Sequence, residues 1–147
     1  RADGALIETL CALVRDTQPD LILTHDAADY HADHRTLARA VDDAAGFRAP
    51  VLFADTRLGV GFAPTVWIDT TAHQDVKAAA IRCHQSQEPD RFVVEAAQWS
   101  RVRAAQCGHD GFAEAWRFTP RYPFADIRAL LPPAPPVKGV RDRSAKA

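Results

Sequence analysis

Residues 24–35 hold most of the chemistry this chain could perform. Between His25 and His34 stand three imidazoles, His25, His31 and His34, and three carboxylates, Asp26, Asp29 and Asp33. Neutral imidazole is the commonest metal ligand and the usual proton shuttle near neutral pH. A carboxylate beside it can fix its tautomer and raise its basicity. His31 and His34 are three apart, with Asp33 between them. A helix that begins near Asp33 can therefore aim both rings at one point. A catalytic zinc site takes three protein ligands and a water. His-x-Asp-His supplies one or two ligands, so it is part of a site rather than a whole one. The competing explanation is structural: Asp33 caps a helix, and the imidazoles sit on a solvated loop.

The elements around this segment follow from periodicity. Leu6, Ile7, Leu10 and Val14 recur at helical spacing, which predicts a helix over 5–17, and Pro19 follows its end. Leu21, Ile22 and Leu23 form a short apolar run between two helical patterns, as a buried parallel strand does. Leu37, Ala38, Val41 and Ala45 predict a second helix over 34–45, with Gly46 as its C-cap. Further strands are expected over 51–54, 65–69 and 114–118. Helices are expected over 72–84, capped by Thr70 or Thr71, and over 89–106. Alternating strands and helices make the class α/β, a Rossmann-like three-layer fold with a mostly parallel sheet. Three or four short strands make a thin sheet, so the domain is expected to be incomplete at its N-terminus. In this reading residues 1–130 are the folded domain. Residues 131–147 are a Pro-rich, basic, disordered tail.

Composition sets outer limits. The chain has 147 residues, 47% of them hydrophobic and 25% charged, with net charge −1. That length suits one domain. Without a basic field, nucleic acid is not an expected partner. No apolar run is long enough for a membrane span. Cys11, Cys83 and Cys107 are odd in number and scattered, which fits a reducing compartment and a cytoplasmic protein. Cys83 and Cys107 read as core thiols. Trp67, Trp99 and Trp116 read as core or interface residues, and Asp69 reads as a cap. Richness in Ala and Arg points to a GC-rich bacterial source.

Several segments together carry a family resemblance. The run from Pro19 to His25, followed by Tyr30-His31-Ala32-Asp33-His34-Arg35, resembles the second motif of the LmbE-like, PIG-L-type N-acetylglucosaminyl deacetylases. Their usual form is His-Pro-Asp-His, so Ala32 departs from it while every functional side chain is kept. Trp67-Ile68-Asp69-Thr70, and Lys77 followed by His84-Gln85-Ser86-Gln87, are similar to that family's next strand and helix. Arg103 to Gly108 and Phe112 to Trp116 are similar to its later segments. The family's opening Ala-His-Pro-Asp-Asp-Glu, which supplies two metal ligands and the general base, does not occur here.

The resemblance implies a zinc-dependent hydrolase, with one Zn2+ or another divalent metal, that removes an N-acetyl group from an amino-sugar conjugate. His34 would be a metal ligand. His31 would polarise the amide carbonyl and protonate the leaving amine, and Asp33 would hold the tautomer of a neighbouring imidazole. Tyr30 and His84 are candidate substrate contacts, each weighed against a purely structural role. For His25 and Asp26, tuning of the metal's surroundings and simple loop stabilisation are equal readings. This chain alone is expected to lack the complete site. The alternatives are a catalytically inactive α/β binding or regulatory module, and an amidase acting on a related non-sugar substrate. A small molecule is the expected partner, and association into a homo-oligomer is compatible with an open sheet edge.

Overall fold

The helical stripe near the N-terminus becomes α1, Gly4–Thr17. Asp3 caps it, its carboxylate accepting from the Leu6 N–H at 2.9 Å. At the other end Gln18 adopts φ 45° and donates its N–H to Val14 O. Then come β1 (Ile22–Thr24), α2 (Ala32–Ala45), β2 (Val51–Ala54), β3 (Val66–Asp69), α3 (Gln74–Arg82), α4 (Pro89–Gln106) and β4 (Ala113–Phe118). Short 3₁₀ turns lie at Arg57–Gly59, Thr71–His73 and Gln85–Gln87. This structure, a computed structural model, describes residues 3–119. The expected boundary near residue 130 and the basic tail fall outside them.

The α/β class expected from the sequence is the one found, but the sheet is mixed. Strand order is β1-β2-β4-β3. β1 and β2 are parallel, with Ile22 opposite Val51 and Thr24 opposite Phe53. β4 runs antiparallel to β2 and to β3. β1, β2 and β3 thus share a direction, yet only β1 and β2 form a parallel ladder. The reason lies in the connections. One helix, α2, carries the chain from the end of β1 to the start of β2, which makes a parallel neighbour. Two helices, α3 and α4, separate β3 from β4, so the chain returns to the end it left. β4 therefore starts beside the end of β3, with Ala113 opposite Asp69, and runs back.

Two helical layers sandwich this sheet. Val41 and Ala45 of α2 pack with Val51 and Phe53 of β2, joined by Leu10, Ile22 and Leu37. Ala38, Ala40 and Ala44 are also buried, so small residues let α2 approach closely. On the opposite face Ala54 and its register partner Trp116 look across a cavity of about 480 Å³ towards Trp99, Ser100 and Arg103 of α4. β2, in the middle of the sheet, is buried on both faces. β1 lies at the edge, and its Leu23 is 56% exposed. Among the described residues no helix is long and apolar enough to cross a membrane.

Candidate metal centre

The imidazole-rich segment leaves the carboxyl end of β1, beside the C-terminal end of its parallel neighbour β2. Open α/β folds bind ligands beyond such strand ends. Two aspartates shape the loop. Asp26 Oδ1 accepts from the Ala28 N–H at 2.8 Å. Its Oδ2 takes Nε and Nη2 of Arg117 at 2.8 and 2.6 Å. Asp29 Oδ1 accepts from the His31 N–H at 2.8 Å, and Arg35 Nη1 closes the loop by donating to Asp29 O at 2.9 Å. Asp26 and Asp29 are both buried.

α2 then starts one residue before Asp33, and the cap is His31. Its Nδ1 accepts from the Asp33 N–H at 3.2 Å. The capping role considered for Asp33 thus belongs to the ring of His31. A neutral His31 held this way carries its proton on Nε2, the nitrogen left to face a ligand. The Asp33 carboxylate is 90% exposed and lies 3.8 Å from the same Nδ1.

Three rings meet at the start of α2. His25 and His34 stack in parallel, with centroids 3.8 Å apart and planes 1° apart. His31 and His34 lie 4.7 Å apart, tilted by 36°. Asp29 Oδ2 is 3.3 Å from His34 Nδ1, a buried nitrogen with no well-aligned hydrogen bond of its own. Burial depresses the His25 pKa, and the nearby charges of His34 and His31 add to this against the pull of Asp29. For Asp29, burial pushes the carboxyl up. The hydrogen bond from the His31 N–H and the neighbouring imidazoles of His34 and His25 outweigh it and hold the group below the usual range.

His25, Asp29 and His34 each bring one ligand atom within 4.8 Å of the others. Two imidazoles and a carboxylate form a donor set suited to zinc and other borderline divalent metals. His34 fits such an ion best, being partly exposed and backed by a carboxylate. The in-plane lone pairs of two stacked rings run side by side, so His25 joins an ion at His34 only after its ring turns.

Of the residues singled out from sequence, His31, Asp33, His34 and Tyr30 gather here. Tyr30 is 67% exposed, edge-on to His31 with ring centroids 6.2 Å apart. It also interacts with Arg57 beyond the end of β2. His84 stands apart, exposed in the turn after α3. Asp29 counts among the three carboxylates of the stretch, but the sequence assigns it no role. It precedes the recognisable motif, and its burial arises only from the loop's folding.

The cavity under α4 lies next to this cluster without including its imidazoles. Arg57 lines it, together with Glu95, Lys77 and Glu114. Its charges are paired: Arg57 with Glu95, Lys77 with Glu114, and Arg103 with Asp55. Elsewhere Thr71, His109 and Asp69 converge, but Thr71 Oγ1 and Asp69 Oδ1 face the same nitrogen, His109 Nε2, each at 3.2 Å. A relay needs one partner on each ring nitrogen, so this group is structural. Asp69 caps the turn as expected, accepting from the Thr71 N–H. Cys83 and Cys107, expected in the core, are exposed. Both lie at helix C-terminal ends, where the backbone turns outward.

Residues 2–45 match the model of the PIG-L family, described as GlcNAc-PI de-N-acetylase. That stretch contains every residue of the imidazole cluster, so the resemblance is met where the candidate chemistry lies. No curated protein matches the sequence. Among solved structures, the chain is similar to GalB, the 4-carboxy-2-hydroxymuconate hydratase from Pseudomonas putida (24% identity, TM-score 0.64, 85% of this chain and 62% of that one). It is similar to a conserved protein from Thermus thermophilus (20% identity, TM-score 0.66, 84% and 61%). It is also similar to the N,N'-diacetylchitobiose deacetylase from Pyrococcus horikoshii (18% identity, TM-score 0.67, 89% and 58%). The chain thus spans about three-fifths of the length of these structures. A hydratase and a deacetylase share this fold, so the fold alone does not choose between them.

Proposed function

We propose that this chain carries the His-x-Asp-His half of a zinc-dependent N-deacetylase acting on an amino-sugar conjugate. The observation that carries the reading is the cluster itself. A partly exposed His34, backed by a buried carboxylate, has its ring 4.7 Å from that of His31 at the start of α2, within the stretch that matches a de-N-acetylase family.

In this reading His34 holds a divalent cation. Such an ion, when bound, would supply a water of lowered pKa and Lewis acidity toward the amide carbonyl. The Nε2–H of His31 points its dipole at the carbonyl oxygen as negative charge gathers there. When the proton released by the water that adds to the amide carbon reaches His31, Nδ1 changes from acceptor to donor, and Asp33 is the carboxylate within reach. The charged ring can then protonate the departing amine. Tyr30 lies at the approach to the ring pair and contacts the substrate.

The test, made on a version of the protein extended upstream in its gene, is acetate release from N-acetylglucosaminyl conjugates with added zinc, run beside hydration of an unsaturated carboxylic acid. Acetate release that requires both zinc and His31 supports the reading. Hydration without acetate release contradicts it.

A further inference from the structure

The carboxylate that serves the imidazoles is not the one the motif advertises. We infer that Asp29 is a positioning residue, which fixes the ring of His34 so that Nε2, rather than Nδ1, faces the metal. The inference rests on the proposed metal site for its consequence, but its geometry stands alone.

Asp29 is buried, its side chain 8% exposed, whereas that of Asp33 is 90% exposed. Its two oxygens have different tasks. Oδ1 is tied to the His31 N–H at 2.8 Å, which fixes the carboxylate against the start of α2. Oδ2 lies 3.3 Å from His34 Nδ1. That nitrogen is buried and forms no well-aligned hydrogen bond, to Asp29 or to any other described group. A buried ring nitrogen facing a carboxylate is most stable as N–H, because an unpaired lone pair against a negative oxygen is repelled. With the proton on Nδ1, the lone pair is on Nε2. A carboxylate behind a ligating histidine orients the ring and raises its basicity, and its loss typically lowers metal affinity about 10–100-fold.

The arrangement also links the two imidazoles. One carboxylate holds the backbone of His31 and the ring of His34, so their 4.7 Å separation is set from a single anchor. His34 receives from Asp29 a role that Asp33 cannot fill, since the atom Asp33 approaches is on His31.

Asp29→Asn separates the two tasks. An amide has one accepting oxygen and one donating nitrogen. If the oxygen stays on the His31 N–H, the NH₂ group faces His34 Nδ1 and drives the ring proton to Nε2. The experiment is ¹⁵N NMR of the histidine rings in the full chain, without metal and then with zinc added. In the wild-type chain neutral His34 should carry its proton on Nδ1, with Nε2 shifting on zinc addition. Asp29→Asn should move the proton to Nε2 and weaken zinc about 10–100-fold, while Asp33→Asn leaves the His34 tautomer unchanged. A wild-type His34 protonated on Nε2, or zinc arriving on Nδ1, would overturn the inference without any variant. An Asp29→Asn chain with unaltered tautomer and zinc affinity would overturn it too. If the tautomer changes as expected but neither chain binds zinc, Asp29 keeps its role and the metal reading falls.

Discussion

Asp26 and Arg117 join the loop after β1 to the strand β4, 91 residues away in sequence, through two bonds of 2.8 and 2.6 Å. Asp26 is 3% exposed, and the guanidinium lies over the Phe53 ring at 4.6 Å. β4 therefore holds the loop that carries the imidazoles. Arg117→Ala leaves a buried carboxylate without its charge partner, which should cost on the order of 3 kcal/mol. Urea unfolding of Arg117→Ala, Asp26→Ala and the double variant checks this. The double variant should lose much less than the sum of the two.

A second buried network pins the end of β2 to α4. Asp55 accepts from Arg103 Nε and Nη2 at 2.6 and 2.8 Å and from Trp99 Nε1 at 2.9 Å. Asp55→Ala strands a guanidinium that is 4% exposed, with an expected loss of about 3–5 kcal/mol. Gly59 sits against the same group. It has φ +69°, and a Cβ there would lie 2.5 Å from the Trp99 ring and 2.6 Å from the Arg103 guanidinium. The backbone strain of Gly59→Ala alone is about 1–3 kcal/mol, and the clash adds to it. Denaturation midpoints should rank Gly59→Ala well below the wild type.

His31 has two jobs that a single substitution can separate. Its ring caps α2 through Nδ1, and its Nε2 faces the candidate metal centre in the proposed function. His31→Asn supplies a good capping oxygen but no imidazole. Thermal unfolding should place His31→Asn near the wild type and His31→Ala about 1 kcal/mol below it. In the version extended upstream, with the site complete, both should lose roughly 10²–10³ in kcat for acetate release, as loss of one oxyanion donor does. Equal activity in His31→Asn and wild type would remove His31 from the chemistry.

Acid should loosen the pair at the cavity's mouth. Hydrogen bonding to Arg57, with its charge, holds the Glu95 carboxyl below its ordinary range. A depressed carboxyl contributes stability above the unfolded-state pKa near 4.5. That contribution disappears as pH falls through the lower, folded-state value. The pair is partly exposed, so the effect is small. Unfolding midpoints between pH 6 and pH 3, a window set by the usual carboxylate range, should fall less steeply for Glu95→Gln than for the wild type.

Much of this architecture is legible in the sequence. The helical stripes of α1 and α2, the apolar runs of β1 and β2 and the Gly46 stop depend on local spacing, and each lies where that spacing put it, although β1, expected to be buried, is an edge strand with Leu23 exposed. The place of β4 between β2 and β3 was not readable, because pairing order is a long-range property. The same holds for Asp55 with Arg103, 48 residues apart. In the site, His31 and His34 stood out through their spacing. Asp29 had no such mark, since its importance comes from burial behind a ring five residues on. Asp33 was conspicuous in sequence and is exposed in space.

Zinc titration into the chain and into its His34→Ala and His31→Asn variants, followed by calorimetry, tests the central claim most directly. Because this half supplies His34 without a full set of three protein ligands, the account predicts saturable but weak zinc binding by the wild type. It predicts the same binding in His31→Asn and its loss in His34→Ala. Undiminished zinc in His34→Ala, or none in the wild type, would contradict a metal centre built on His34.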